Sequence, residues 1–284
     1  MTTTKQSNLG ATLRTTILLA TLTGLLVVIG FAVGGPETAF TFLIIGLALN
    51  LFQYFFSDKI ALRMSGARPL EESEAPRIYQ IVRELTTRAD LPMPRLYLIP
   101  QEQPNAFATG RDPKHAAVAV TEGITKLLSE DELRGVLSHE LAHVKHRDIL
   151  IQSVAAAIGG AITWIAYTLL WVGGEDGPVG AIAALALVIL APVAASIIQL
   201  SISRQREYAA DAGGAEISGN PESLASALLR LEQGAKAIPM EVNQSAEPLY
   251  IVAPFSGGGL SRLFSTHPPI EERVRRLRQM RPSL

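Results

Sequence analysis

Apolar residues run in four long blocks along this chain, at about residues 15–33, 39–56, 149–172 and 180–202. Each block can cross a hydrocarbon core of roughly 30 Å as a helix rising roughly 1.5 Å per residue. No block carries a charged side chain in its interior. Short loops at residues 34–38 and 173–179 join the blocks in pairs, which predicts two helical hairpins. Lys5 and Arg14 ahead of the first block also fit the start of a signal peptide. The run is longer than a usual signal core, and a second span follows almost at once, so the hairpin is preferred.

The charges flanking these blocks are asymmetric. Lys5, Arg14, Lys59, Arg63, Arg68, Lys145, His146, Arg147, Arg204 and Arg206 border the outer ends, while the two hairpin loops hold only Glu37, Glu175 and Asp176. Basic residues favour the cytoplasmic side, so both termini and both polar stretches are expected there. The division is then a first transmembrane hairpin (1–56), a first polar part (57–148), a second hairpin (149–202) and a second polar part (203–284).

Neither polar part looks complete alone. Residues 71–89 place Ile78, Ile81, Val82 and Leu85 on one helical stripe. Residues 95–99, 106–109 and 116–121 suit short strands. Ser129 and Glu132 form a capping box that opens a further helix. Asn220 and Pro221 start a helix running to about residue 234, and residues 268–280 form a basic one. The two parts together predict one α+β domain beneath the hairpins.

Composition narrows the chemistry. The chain has 284 residues, a net charge of −1, five His and no Cys. Near-neutral charge gives no basic surface for nucleic acid. Without Cys, a metal must be held by His, Asp or Glu.

Residues 138–143, Ser-His-Glu-Leu-Ala-His, contain H-E-x-x-H inside the capped helix. His139 and His143 stand one turn apart on one face and can reach one ion at roughly 2.0–2.1 Å. Glu140 lies about 100° round the helix, placed to take a proton from a water on that ion. The plain alternative is a surface helix with scattered His. A catalytic zinc takes a third protein ligand and keeps an open position. Glu207 can supply that ligand, and Asp211, one turn on, can accept a hydrogen bond from a ligating imidazole. Glu207 pairing with Arg204 or Arg206 on a solvated helix is the other reading. Short loops put the ends of the second hairpin side by side, which brings His143 and Glu207 together.

This order of segments resembles the HtpX-type membrane zinc endopeptidases, relatives of the CAAX prenyl proteases. The likeness covers nearly the whole chain: hairpin, H-E-x-x-H segment, hairpin, E-x-x-x-D segment, and a tail with His-Pro-Pro. It implies four transmembrane helices with an α+β zincin-like (gluzincin) catalytic domain. It implies one zinc ion on His139, His143 and Glu207, with Glu140 as the catalytic base. It also implies degradation of misfolded or damaged membrane proteins, hence a quality-control and stress role in the cytoplasmic membrane. Asn105-Ala106-Phe107 is similar to a stretch on the cleft-lining edge strand of thermolysin-like peptidases, so Asn105 and Ala106 are candidates for holding substrate backbone. A polar turn explains Asn105 equally. His267, in the tail motif, is a candidate donor to the oxyanion, although Pro268 at a helix start explains the local shape. Arg273 is read as tying the tail helix to the site. His146, seven residues from His139, is too far for the same ion, and His115 is read as a surface residue.

The expected partners are unfolded or membrane protein substrates and the lipid bilayer, with no nucleic acid. Three rivals stand beside this. A zinc-stabilised scaffold or chaperone would keep the ligands but have no use for Glu140. A metal transporter would place ionisable ligands within its spans. A prenyl-protein protease would need an enclosed chamber larger than four spans can build.

Overall fold

The computed structural model describes residues 2–150, 204–237 and 268–280. The third and fourth expected spans and His267 lie outside these residues.

Helix α1, Thr2–Met64, is broken at Gly34 and Gly35, where the backbone leaves helical geometry. Gly35 has φ of 72°, open to a residue without a Cβ, and Pro36 restarts the helix with its preset φ. The two arms fold back on each other. Asn50 Nδ2 donates to Thr23 Oγ1 at 2.8 Å and to the Leu19 carbonyl at 3.2 Å, which ties the arms together. Among the described residues, one helix is long and apolar enough to cross a membrane, Gly34–Met64, with an 18-residue stretch of mean hydropathy 1.8. Its apolar surface faces outward: Phe40, Ile44, Leu47, Leu51 and Phe52 are all exposed. An exposed apolar patch of this extent suits lipid.

The second apolar block ends near residue 56, and the helix that carries it continues to Met64. The reason lies beneath it. Strands β1 (Arg68–Pro69), β2 (Arg95–Ile99), β3 (Ala106–Thr109) and β4 (Ala117–Thr121) form a sheet in the order β1-β2-β4-β3. Strand β2 runs parallel to β4, while β1 and β3 are antiparallel to their neighbours. Side chains alternate between the sheet's faces. Ile99, Phe107, Ala117 and Ala119 turn to one face, where Ala61 and Leu62 at the end of α1 cover them. Asp58 accepts from Arg95 at 2.6 Å and pins this end of α1 to β2.

The other face carries Leu96, Ala106, Ala108, Val118 and Val120, which join the main core. Helix α2 begins at Pro76 and runs to Ala89, five residues later than residue 71 suggested. Glu74 instead accepts from Arg68 and from its own turn at Glu71, so the acidic lead-in is a turn ahead of the proline. Its stripe of Ile78, Ile81, Val82 and Leu85 is buried as expected. Helix α3 (Glu122–Leu127) leads into α4 (Glu130–His146). The capping box is formed on both sides, Ser129 N–H to Glu132 at 2.9 Å and Glu132 N–H to Ser129 Oγ at 3.4 Å. Helices α5 (Arg204–Ser218), α6 (Pro221–Ala237) and α7 (Ile270–Gln279) complete the described chain. Asn220 caps α6 by accepting from Glu222 N–H at 3.1 Å. Their apolar residues, among them Ala210, Leu224, Leu228 and Leu277, enter the same core as α2 and α4.

A candidate metal centre between two helices

Helix α4 is buried along its second half, and α5 lies across it. The close approach depends on Gly214, whose position would bring a Cβ to 2.9 Å from both the backbone N and the Cα of His139. The adjacent Gly213 lies over Ala142 and the ring of His146 in the same way. With no side chains between the backbones, Glu207, two turns earlier on α5, reaches the imidazoles. The Gly-Gly pair in mid-helix was the sequence signal for this contact, since glycine inside a helix is unfavourable by about 1 kcal/mol without a packing reason. Gly214→Ala is expected to push α4 and α5 apart, destabilise the fold by about 1–3 kcal/mol and weaken metal binding. Chemical denaturation and metal titration of the variant check this, and an unchanged midpoint and affinity would refute it.

The structure brings together His139, His143 and Glu207, with their candidate ligand atoms all within 4.8 Å of one another. The two Nε2 atoms are 3.2 Å apart. His143 Nε2 is 3.5 Å from Glu207 Oε1, and His139 Nε2 is 3.8 Å from Glu207 Oε2. Donors at roughly 2.0–2.2 Å from one tetrahedral ion stand about 3.3–3.6 Å apart, so the set fits a small divalent cation. All three residues are buried.

Each imidazole has a carboxylate behind it. Asp211 Oδ1 sits 3.0 Å from His139 Nδ1, though off the line of its N–H. Asp148 Oδ2 sits 3.5 Å from His143 Nδ1. Arg273, fully buried, grips Asp211 with Nη2 at 2.7 Å and Nε at 2.9 Å. Its Nη1 lies 3.7 Å from Glu207 Oε2 and its Nη2 lies 3.5 Å from His139 Nε2. The tail helix is thus tied to the site, as Arg273 suggested in the sequence.

The electrostatics follow from burial and these partners. Burial drives His139 down to about 4, with the neighbouring His143 and Arg273 adding to it and Asp211 opposing. Burial would also lower His143, but Asp148 and Glu207 outweigh it and hold the ring at about 9. Burial would raise Asp211, yet Arg273 and His139 keep it at about 2. Glu140 is pushed up to about 8 by burial, with Glu207 adding to it. The Ala108 amide of β3 partly offsets this by donating toward the Glu140 carboxylate.

Strand β3 lies at the sheet edge beside α4. Asn105 is buried and caps its own strand: Oδ1 accepts from Ala106 N–H at 3.0 Å, and its N–H donates to Thr121 Oγ1 at 2.8 Å. His146 is half-buried over Gly213. His115 is exposed, with a partner three residues back, Asp112 at 2.8 Å. The sequence reading missed Asp148, although its place two residues beyond the metal helix was a usable signal.

Peptidase family M48 matches residues 72–281. Relatives named Protease HtpX homolog include one from Pelotomaculum thermopropionicum, 55% identical over 94% of this chain and 98% of the relative. Another, from Burkholderia thailandensis, is 52% identical over 94% of this chain and 96% of the relative. The crystal structure of S. mikatae Ste24p has the same fold, with a TM-score of 0.53 at 17% identity, covering 98% of this chain and 67% of that one. With these matches, and with ligand-type side chains gathered as such an activity requires, the chain belongs to peptidase family M48 and is a metalloprotease of the HtpX type.

Proposed function

We propose that the protein is a zinc endopeptidase of the cytoplasmic membrane that hydrolyses peptide bonds in unfolded or damaged membrane proteins. The observation that carries this is the convergence of His139, His143 and Glu207 from two helices, with Glu140 beside them and an edge strand alongside. His139, His143 and Glu207 would hold the ion, and a His₂Glu set with an open position suits zinc. Zinc, when bound, supplies a Lewis acid for the scissile carbonyl and lowers the pKa of water. Glu140 takes the proton from the attacking water onto its carboxylate and passes it to the leaving amine. Asp211 and Arg273 keep the His139 ring aimed. Ala106 on β3, with Asn105 just ahead of the strand releasing its cap on the Ala106 N–H, holds an extended substrate backbone by adding a strand to the sheet edge, and this favours unfolded segments over folded ones. His267 donates to the oxyanion.

Four spans in two hairpins, with both termini and the site on the cytoplasmic side, complete the proposal. The outward apolar face of Gly34–Met64 supports the membrane setting. The basic residues at the outer ends of the apolar blocks support the orientation.

The test is cleavage of an unfolded protein by purified, zinc-loaded protein in detergent. Cleavage should stop on chelation and return with zinc. Cleavage that survives complete removal of metal would overturn the proposal. Zinc binding without cleavage of any unfolded protein would favour a zinc-stabilised scaffold instead.

A further inference from the structure

His139 is supported by a carboxylate behind the ring, Asp211, and an arginine behind the carboxylate, Arg273. The same arrangement recurs at the second imidazole, assembled from different segments. Asp148 Oδ2 lies 3.5 Å from His143 Nδ1, and Arg206 Nε lies 4.0 Å from Asp148 Oδ1. Asp148 is 4% exposed and Arg206 8%, so neither charge is solvated and each needs the other.

The backbone is shaped to make this contact. Helix α4 ends at His146, and Arg147 adopts the left-handed conformation with φ of 60°. Few residues other than glycine do so. The turn lets Asp148 N–H bond back to the His143 carbonyl at 3.0 Å, while Arg147 N–H bonds to Val144 at 3.2 Å. Chain reversal by a residue that disfavours it therefore returns the Asp148 carboxylate to the imidazole one turn before the helix end. Arg206 comes from α5, one residue ahead of Glu207. The pair joins residues on either side of positions 151–203.

We propose that Asp148, anchored by Arg206, is the positioning carboxylate of His143, so that each imidazole of the metal site is aimed by its own carboxylate–arginine pair. This rests on the metal-site reading above and adds a residue to it. A carboxylate on the far ring nitrogen fixes the tautomer that leaves Nε2 free to bind, and removing such a partner typically lowers metal affinity about 10–100-fold.

The experiment is zinc affinity by chelator competition on the full chain in detergent, for wild type and Asp148→Asn. The asparagine keeps the size and the backbone cap. The expected result is a zinc Kd raised about 10–100-fold, beyond what any fall in the melting temperature of the metal-free protein accounts for. The visible spectrum of the cobalt-substituted protein should also shift, since the ring is aimed differently. Arg206→Gln should raise the Kd less, and the double variant should be no weaker than Asp148→Asn alone. A wild-type Kd in Asp148→Asn, or a loss explained wholly by a less stable metal-free protein, would overturn the proposal. If wild type itself binds no zinc, the metal-site reading falls and this inference falls with it. If wild type binds zinc and Asp148→Asn matches it, only this inference falls.

Discussion

Glu140→Gln is expected to hydrolyse an unfolded protein about 10²–10⁴-fold more slowly than wild type while binding zinc equally well. Glu140 stands between the two imidazoles in sequence but outside the His139–His143–Glu207 ligand set. Glutamine has the same shape and can still meet the Ala108 amide, but it cannot accept a proton. In the metal-free site, burial pushes the Glu140 carboxyl up to about 8. A dication nearby favours the ionised form, because an opposite charge at short range stabilises the carboxylate. The base is therefore ready when the site is loaded, and the variant removes that step alone. The measurements are zinc content and the cleavage rate at saturating zinc. Equal rates for the two proteins would remove Glu140 from the mechanism, and loss of zinc by the variant would make it a ligand instead.

Arg273→Leu should destabilise the fold by roughly 3–5 kcal/mol, because it strands a buried carboxylate. Arg273 is fully buried and makes two contacts to Asp211 at 2.7 and 2.9 Å. Without it Asp211 keeps its burial and loses its largest source of positive charge. The sign of the pH effect follows. In wild type the Asp211 carboxyl is depressed to about 2, so its contribution is complete above the unfolded carboxyl range and is lost as pH falls through about 2. In the variant the carboxyl rises, that contribution disappears, and the stability gap between the two proteins narrows in acid. Urea titrations at neutral and acid pH check both statements, and a constant gap would refute the linkage. Arg273→Lys keeps a charge but not the two-pronged grip, so it should fall between wild type and leucine. Pairing Arg273→Leu with Asp211→Asn should recover part of the stability. Zinc affinity should stay weak, because asparagine no longer holds the His139 ring as a carboxylate does.

Residues whose placement depends on spacing along one helix were legible in the sequence. His139, Glu140 and His143 follow from an i, i+4 pattern on a capped helix, as do Glu207 and Asp211 on α5. The capping box at Ser129 and the start of α6 at Pro221 are equally local, because a cap is formed within one turn. The break at Gly34 and Gly35 and the three strand segments belong here too, since turn chemistry and alternation act over a few residues.

Contacts between distant segments were decided by the tertiary structure. Nothing local says that α1 should run on to Met64; it does because Ala61 and Leu62 cover the back of the sheet. Nothing in residues 106–109 distinguishes an edge strand from a central one, and only the order β1-β2-β4-β3 puts β3 beside the metal helix. Gly214 shows its purpose only once α5 lies across His139. Asp148 and Arg206, 58 positions apart in number, meet because a left-handed turn at Arg147 reverses the chain beneath His143. A ligand set can be inferred from periodicity, because the helix fixes the geometry of its own side chains. The arginines that hold the aiming carboxylates, Arg206 for Asp148 and Arg273 for Asp211, come from other segments, and packing alone brings them within reach.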